Sequence, residues 1–102
     1  MTWFCLVAWG LAGCSYAKRL ETHAQHYRTH HDFKSLEKVV ETMKMGTDTA
    51  AVRRLLGDPI DMGFDFRYLV DSVGPRGCVI GAVFHIGEQG RIDQKWVGEI
   101  CE

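Results

Sequence analysis

The chain has 102 residues, of which 12 are Lys or Arg and 13 are Asp or Glu, so its formal net charge is −1. This length allows one small domain and excludes two separate hydrophobic cores. The balanced charge gives no general attraction for nucleic acid, and no basic stripe with interleaved aromatic residues argues for it. We therefore expect one small domain whose partners do not include nucleic acid.

The chain begins with an uncharged apolar run that ends in Leu11-Ala12-Gly13-Cys14-Ser15. The run is too short to span a bilayer, and small residues at its end are typical of a secretory signal. With its cysteine, the motif resembles a bacterial lipobox. We expect residues 1–13 to be a lipoprotein signal peptide and acyl chains on Cys14 to bind the membrane. The alternative is a buried N-terminal strand or helix with an incidental cysteine.

Residues 14–32 are polar and hold four of the five histidines. A stripe of residues at helical spacing consists of Leu20, Ala24, Tyr27 and His31. This stripe is too thin for a packed helix, so we predict a His-rich tether that is partly helical. His23, His26 and His30 fall at i, i+3 and i+7, where imidazoles can bind zinc or copper. Solvated side chains are the favoured alternative, because no carboxylate has ligand spacing. We therefore expect no cofactor and no metal.

Two helices with one apolar face each are predicted next. The first apolar face consists of Leu36, Val39, Val40 and Met43, with Asp32 or Ser35 as the N-cap and Gly46 at the end. The second helix begins at Asp48 as N-cap and buries Val52, Leu55 and Leu56. Gly57 suits the left-handed C′ position, and Pro59 prevents the helix from restarting.

After Pro59 the period of the apolar residues changes to two, which predicts strands. The first strand alternates around Phe66 and Tyr68, the second covers residues 78–86, and the third covers residues 91–100. The turns fall at residues 74–77 and 87–90. This order predicts an α+β domain over residues 33–102, in which two N-terminal helices pack on one face of a three-stranded antiparallel meander.

Cys78 and Cys101 remain as a pair once the signal is removed and Cys14 is acylated. Aligning Phe84 and Ile86 with Ile92 and Trp96 pairs even with even residue numbers. Side chains alternate along strands, so the two cysteines would then point to opposite faces. A disulfide would need a β-bulge, or Cys101 beyond the end of the ladder. The sequence leaves both oxidation states open.

The segment from Gly46 to Pro59 contains Val52 and then Leu55-Leu56-Gly57, one residue, and the proline. Together with the lipobox and the helix-helix-strand order, it resembles the SmpA/OmlA (BamE-like) family of outer-membrane lipoproteins. The run Phe66-Arg67-Tyr68 stands where that family has an aromatic pair, and residues 83–92 resemble its later hairpin. The resemblance implies a lipid-anchored protein on the periplasmic side of the outer membrane, an accessory of β-barrel protein assembly. Ser15 after the cysteine agrees with sorting to that membrane.

No nucleophile elbow, phosphate-binding loop or His-Glu-x-x-His motif is present, so we expect a binding protein and no enzyme. Strand-edge and turn positions predict a surface for protein partners in the envelope, formed by Arg67, Arg76, Arg91, Lys95 and Trp96. The alternative places Trp96 in the core and leaves the charges to keep the sheet edge soluble. Two other functions stay open. One is an inhibitor of an envelope enzyme that uses the loops at residues 59–63 and 72–77, and the other is a metal-binding lipoprotein that uses the histidines.

Overall fold

The computed structural model describes the backbone of residues 2–101 and the side chains of residues 15–101. The predicted signal residues 1–13 and the side chain of the predicted lipid carrier Cys14 therefore lie outside the described side chains. Three helices come first: α1 (Thr2–His30), α2 (Phe33–Thr42) and α3 (Thr49–Leu56). Four strands follow: β1 (Ile60–Asp61), β2 (Asp65–Val73), β3 (Val79–Ile86) and β4 (Ile92–Glu99). The strands form one antiparallel sheet in the order β1-β2-β3-β4.

The α+β class is confirmed, whereas the number of elements differs from the prediction. The described residues contain three helices and four strands instead of two and three. The extra strand β1 is only two residues long and pairs Ile60 with Arg67 and Asp61 with Phe66 of β2. Within the described residues, no helix is both long enough and apolar enough to cross a membrane.

The expectation of a tether over residues 14–32 is wrong for its described part, because this segment continues helix α1 and packs against the domain. Leu20, Ala24 and Tyr27 are 6%, 0% and 3% exposed and belong to the main hydrophobic core. The stripe is thin but sufficient, since α1 packs on α2 and α3 and only these few residues face them. The other side chains of this segment are polar and remain at the surface.

Helices α2 and α3 form where the sequence predicts them, and both begin at an aspartate. The Asp32 carboxylate accepts the Ser35 N–H at 3.1 Å, and the Asp48 carboxylate accepts the Ala51 N–H at 2.8 Å. Helix α3 ends at Gly57, whose φ of 87° is accessible to glycine and costly for other residues. The apolar faces of both helices then cover one side of the sheet. The buried core is made of Leu20, Ala24, Tyr27, Leu36, Val39, Val40, Met43, Val52, Leu55, Leu56, Phe66, Tyr68, Val70, Ala82, Phe84 and Ile92.

The predicted register between the last two strands is wrong beyond Ile92. Ile86 does pair with Ile92, but the ladder then shifts so that His85 pairs with Gln94 and Phe84 with Lys95. The extra residue in β4 makes a β-bulge, and every later even-numbered residue of β4 turns to the opposite face. Trp96 therefore lies on the face away from the helices and is 46% exposed, whereas Ile92 is 1% exposed.

The same shift brings Cys78 and Cys101 together. Beyond the bulge, Ile80 pairs with Glu99. The same register places Cys78, two residues before Ile80, opposite Cys101, two residues after Glu99. Their Cα atoms are 5.3 Å apart and the sulfurs form a disulfide. Of the two conditions that the sequence analysis gave for this bridge, the sheet meets both, since β4 contains a bulge and Cys101 lies beyond its end at Glu99.

Candidate docking surface on the open face of the sheet

The helices pack on one face of the sheet and leave the other face open. Because side chains alternate, cross-strand neighbours on the open face form two rows. In one row Asp65 pairs with His85 and His85 with Gln94, and in the next Arg67 pairs with Val83 and Val83 with Trp96. We call this face the open sheet face, defined by the residues of these two rows.

A shallow concavity of about 350 Å³ lies on the open sheet face. Two elements beyond the rows complete its wall, namely the turn before β3 and the chain at the end of β4. Its lining mixes charged, apolar and aromatic side chains: Asp65, Arg67, Arg76, Val83, His85, Gln94, Trp96, Glu99, Ile100 and Cys101.

An ion pair fixes the floor of this concavity. The Asp65 carboxylate and the Arg67 Nε are 3.4 Å apart, and their side chains are only 7% and 18% exposed. A charge that is largely buried is stable only when it is paired. The pair therefore orients two strand side chains toward each other and keeps the floor rigid.

Arg76 is held by its backbone while its side chain extends into solvent. The Arg76 N–H lies 3.0 and 3.2 Å from the two carboxylate oxygens of Glu99. The Arg76 side chain is 74% exposed, and its Nε lies 3.6 Å from the same carboxylate. Glu99 thus anchors the turn at the end of β4 and leaves the guanidinium at the rim, where another molecule can reach it.

Trp96 also lines the concavity and presents a half-exposed indole ring. Nearby, His85 Nδ1 lies 2.6 Å from an oxygen of Asp93, the extra residue of the bulge. This contact holds the bulge against the neighbouring strand. The lining therefore includes an exposed arginine and a half-exposed tryptophan, two of the residue types that carry most binding energy in protein interfaces.

A second, more apolar groove of about 290 Å³ adjoins the first on the β1 side. Arg67 and Ile100 line both grooves. Ile60 and Met62, at the edge of the sheet, are 48% and 40% exposed. The other lining residues of this groove are Leu69 and Val79.

The five residues predicted to bind a partner do not form one surface. Arg67, Arg76 and Trp96 line the concavity, whereas Arg91 and Lys95 point elsewhere. Arg91 Nη1 donates to the Gly46 carbonyl at 2.9 Å. Lys95, opposite Phe84 on the helix-covered face, donates from Nζ to the Val40 and Met43 carbonyls at the end of α2. A cation at a helix C-terminus is favourable, and burial lowers the pKa of Lys95, an effect that nearby Glu41 opposes.

The histidines considered as metal ligands lie at the corner between α1 and α2. His26 Nδ1 is 2.9 Å from the Asp32 carboxylate and also contacts the Ser35 hydroxyl. The His26 and His30 rings are 4.4 Å apart. Burial raises the pKa of Asp32, but hydrogen bonds from Ser35 and His26 outweigh it and lower the pKa overall.

Among the described side chains, three metal-ligating residues lie close together at one place, and none of the three is a histidine. That group is Cys78, Glu99 and Cys101, and its sulfurs are already joined to each other in the disulfide. His26 serves instead at the beginning of α2, next to the carboxylate that caps the helix. The two cysteines, predicted only as an open alternative, are joined at the edge of the concavity.

Asp65, His85 and Gln94 belong to the open sheet face but were not among the predicted site residues. The signal for Asp65 was present, because it shares the odd-numbered face of β2 with Arg67, opposite buried Phe66. Gln94 could not be placed without knowledge of the bulge, since the bulge decides which residues of β4 face outward.

No protein-family model, no curated protein and no solved structure matches this chain. Inference about its function therefore starts from the geometry of the open sheet face and from the motifs of the sequence.

Proposed function

We propose that the chain is an outer-membrane lipoprotein, anchored through Cys14, whose small domain binds a protein partner in the periplasm through the open sheet face. The observation that carries this proposal is the uncovered concavity with Arg76 and Trp96 in its lining. The motif at residues 46–59, which resembles the SmpA/OmlA family, favours a partner in β-barrel protein assembly. The domain would act as an accessory that holds or adjusts a complex.

The beginning of the domain supports a position close to the membrane. Tyr16, two residues after Cys14, packs against the hydrophobic core. Its hydroxyl accepts the Lys44 N–H at 3.2 Å, and the Lys44 ammonium lies 4.5 Å from the centre of its ring. Acyl chains on Cys14 would therefore hold the folded domain directly at the bilayer surface, with almost no flexible chain between them.

The pairing of the charged groups around the concavity favours a binding function over catalysis. Asp65 is paired with Arg67, Arg76 with Glu99 and His85 with Asp93. A general base or nucleophile must reach a substrate atom, and these groups are instead directed at one another. The arrangement suits a surface that recognises the shape and charge of a partner.

Two experiments test the proposal. A Cys14→Ala variant should lose palmitate labelling and leave the membrane fraction; an unchanged distribution would contradict the anchor. For the docking surface, affinity purification from membranes should recover β-barrel assembly components with the parent chain and lose them with Arg76→Glu. The substitution removes the ion pair between the Arg76 Nε and Glu99, but the side chain is 74% exposed and the backbone N–H of residue 76 still donates to Glu99, so the fold should stay intact.

Arg54→Glu is the matched control, since Arg54 is an exposed arginine on α3, outside the open sheet face. It should retain the same partners as the parent chain. Equal recovery with both variants, or recovery of no assembly components with the parent chain, would contradict the proposed role.

Inhibition of an envelope enzyme is the second candidate, because both loops predicted for it border the open sheet face. Ile60 and Met62 line the apolar groove and Arg76 lines the concavity. In that case Arg76→Glu should abolish inhibition of a target enzyme and leave envelope integrity unchanged. For the metal-binding alternative, calorimetric titration with zinc would need to show a site that His26→Ala removes.

A further inference from the structure

Strand β4 is a long edge of the sheet, and most of this edge has no neighbour. The Ile100 N–H donates to the Val79 carbonyl at 2.8 Å, so Ile100 directs its backbone groups toward β3. Backbone direction alternates along a strand, so Lys95, Val97 and Glu99 direct their N–H and C=O groups away from the sheet. Among the described residues, no backbone group pairs with them.

The edge is covered only at its beginning. The Gly46 N–H donates to the Ile92 carbonyl at 2.8 Å, and the Ile92 N–H donates to the Thr47 carbonyl at 2.9 Å. Beyond Ile92 the edge is open through the end of the strand. An open edge of this length is a template for another strand unless bulges, charges or a cover prevent pairing.

We propose that this edge binds a second copy of the chain, with the two β4 strands antiparallel and a two-fold axis at Val97. Only registers that place outward-directed residues opposite each other can form hydrogen bonds, so the axis must pass through a residue. An axis at Lys95 would oppose two lysines, and an axis at Trp96 would oppose Asp93 and Glu99. Both arrangements bring like charges together, which is unfavourable across strands.

The axis at Val97 is the register that places opposite charges across from each other. It sets Lys95 of each copy opposite Glu99 of the other. Lys95 Nζ also donates to the Val40 and Met43 carbonyls and Glu99 also accepts the Arg76 N–H, so the attraction between the opposite charges, which occurs twice, is added to these contacts. An axis at Gly98 would instead leave Lys95 without an acidic neighbour. The Val97 register also sets Asp93 opposite Cys101, just short of Ile92, where the segment at residues 46–48 covers the edge. It therefore uses the whole open length of β4.

The open sheet face fits the same register. Trp96 of each copy lies opposite Gly98 of the other, and the missing side chain leaves room for an indole ring. Within one copy, a Cβ at Gly98 would lie 3.7 Å from the Trp96 ring, so each tryptophan leans along its strand toward the axis. The two rings become diagonal neighbours, within reach of each other. Pairing thus places the two open sheet faces side by side in one sheet, with Trp96, which is 46% exposed in the single chain, near the two-fold axis.

The full chain in detergent micelles tests this pairing by sedimentation equilibrium at increasing protein concentration. We expect a monomer–dimer equilibrium, and a chain that stays monomeric overturns the proposal. The Cys14→Ala chain should dimerise equally, because this contact does not depend on the anchor. Failure of the anchor proposal and failure of this one are therefore separate results.

A zero-length carbodiimide reagent applied to a mixture of light and nitrogen-heavy copies tests the register. Mass spectrometry should find Lys95 of one isotope joined to Glu99 of the other. Cross-links between copies at other positions, without this one, overturn the Val97 axis.

Variants complete the test. Val97→Pro removes an N–H that makes no bond within its own sheet, and Trp96→Lys places two cations near the axis. Each should raise the dissociation constant at least about tenfold. Phe64→Lys is the control, because Phe64 is 56% exposed but precedes β2 on the far side of the sheet. A dimer that withstands both Val97→Pro and Trp96→Lys overturns the proposal.

Discussion

Tyr27→Phe tests whether helix α1 is part of the domain. Strand β2 has an irregular register between Leu69 and Val73, so some of its backbone groups lack partners on β3. The end of α1 supplies them: the Tyr27 hydroxyl donates to the Leu69 carbonyl at 2.6 Å, and the Asp71 N–H donates to the His31 carbonyl at 3.2 Å. The tyrosine therefore connects the first helix to an irregular part of the sheet.

The expected loss of stability follows from that one hydrogen bond. Phenylalanine keeps the edge-on ring contacts with His31 and Tyr68, whose centroids lie 5.2 and 6.4 Å away. What disappears is the hydroxyl, and the Leu69 carbonyl is left without its partner. Such a loss costs about 1–3 kcal/mol. For a domain of this size each kcal/mol lowers the melting temperature by roughly 4–8 °C.

Urea unfolding followed by circular dichroism measures this loss, and Tyr16→Phe in the same helix is the matched control. The Tyr16 hydroxyl accepts an exposed N–H of Lys44 that water can satisfy, so its removal should cost less than about 1 kcal/mol. If the two variants unfold at the same urea concentration as the parent chain, the end of α1 is not docked. The predicted tether would then be the better description of residues 15–30.

The dependence of stability on pH in alkaline solution gives a second test of Tyr27. Burial, and then the charge of Asp71, raise the pKa of Tyr27 from 10.0 to about 12. Above pH 10 the unfolded chain loses this proton while the folded chain retains it, so stability should fall between about pH 10 and 12. Tyr27→Phe should make that fall less steep. An equal slope in parent and variant would contradict the burial of the phenol.

Three further changes test the N-cap of α2, the disulfide and the bulge in β4. Asp32→Ala removes the N-cap of α2 and should cost about 1 kcal/mol in urea unfolding at neutral pH; since the pKa of Asp32 is lowered in the fold, the difference should begin to shrink as the pH falls below the ordinary value of 3.8 and disappear below the lowered pKa. Reducing the disulfide between Cys78 and Cys101 frees a loop with a sequence separation of 23 and should lower the unfolding free energy by about 3 kcal/mol, measured with and without reductant. Ile92→Ala should cost about 2–5 kcal/mol and Trp96→Ala less than about 1.5 kcal/mol, because the isoleucine is 1% exposed and the tryptophan 46%; equal losses in thermal melts would support the uninterrupted register.

The parts of the fold that the sequence predicted are those with complete local signals. Helix α3 has an aspartate at its beginning, an apolar face at helical spacing, and Gly57 at its end. The residue pattern of α2 is equally explicit, although the sequence left two candidates for its N-cap and the structure selects Asp32. These signals act within one or two turns, so no knowledge of the tertiary structure is needed to interpret them.

Helix α1 could not be predicted in the same way, because its burial depends on what lies beside it. A stripe made of Leu20, Ala24 and Tyr27 is too narrow to bury a helix on a sheet, but it is wide enough for the space against α2 and α3. Strand β1 has the same difficulty on a smaller scale. Two residues show no period, and Ile60 and Asp61 form a strand only because β2 offers an edge.

One residue without a sequence signal decides most of the candidate site. Asp93 is the extra residue in β4, and neither a glycine nor a proline marks its position. The apolar residues of β4 are compatible with either register, because one register turns Trp96 to the core side and the other turns Val97 to it. The bulge selects Val97 for the core side, which turns Trp96 to the open sheet face, directs Lys95 to the end of α2 and sets Cys78 opposite Cys101. It also sets which backbone groups of β4 point away from the sheet. The docking face, the disulfide and the proposed dimer edge therefore share one local cause, and the pairing of His85 with Asp93 holds it in place.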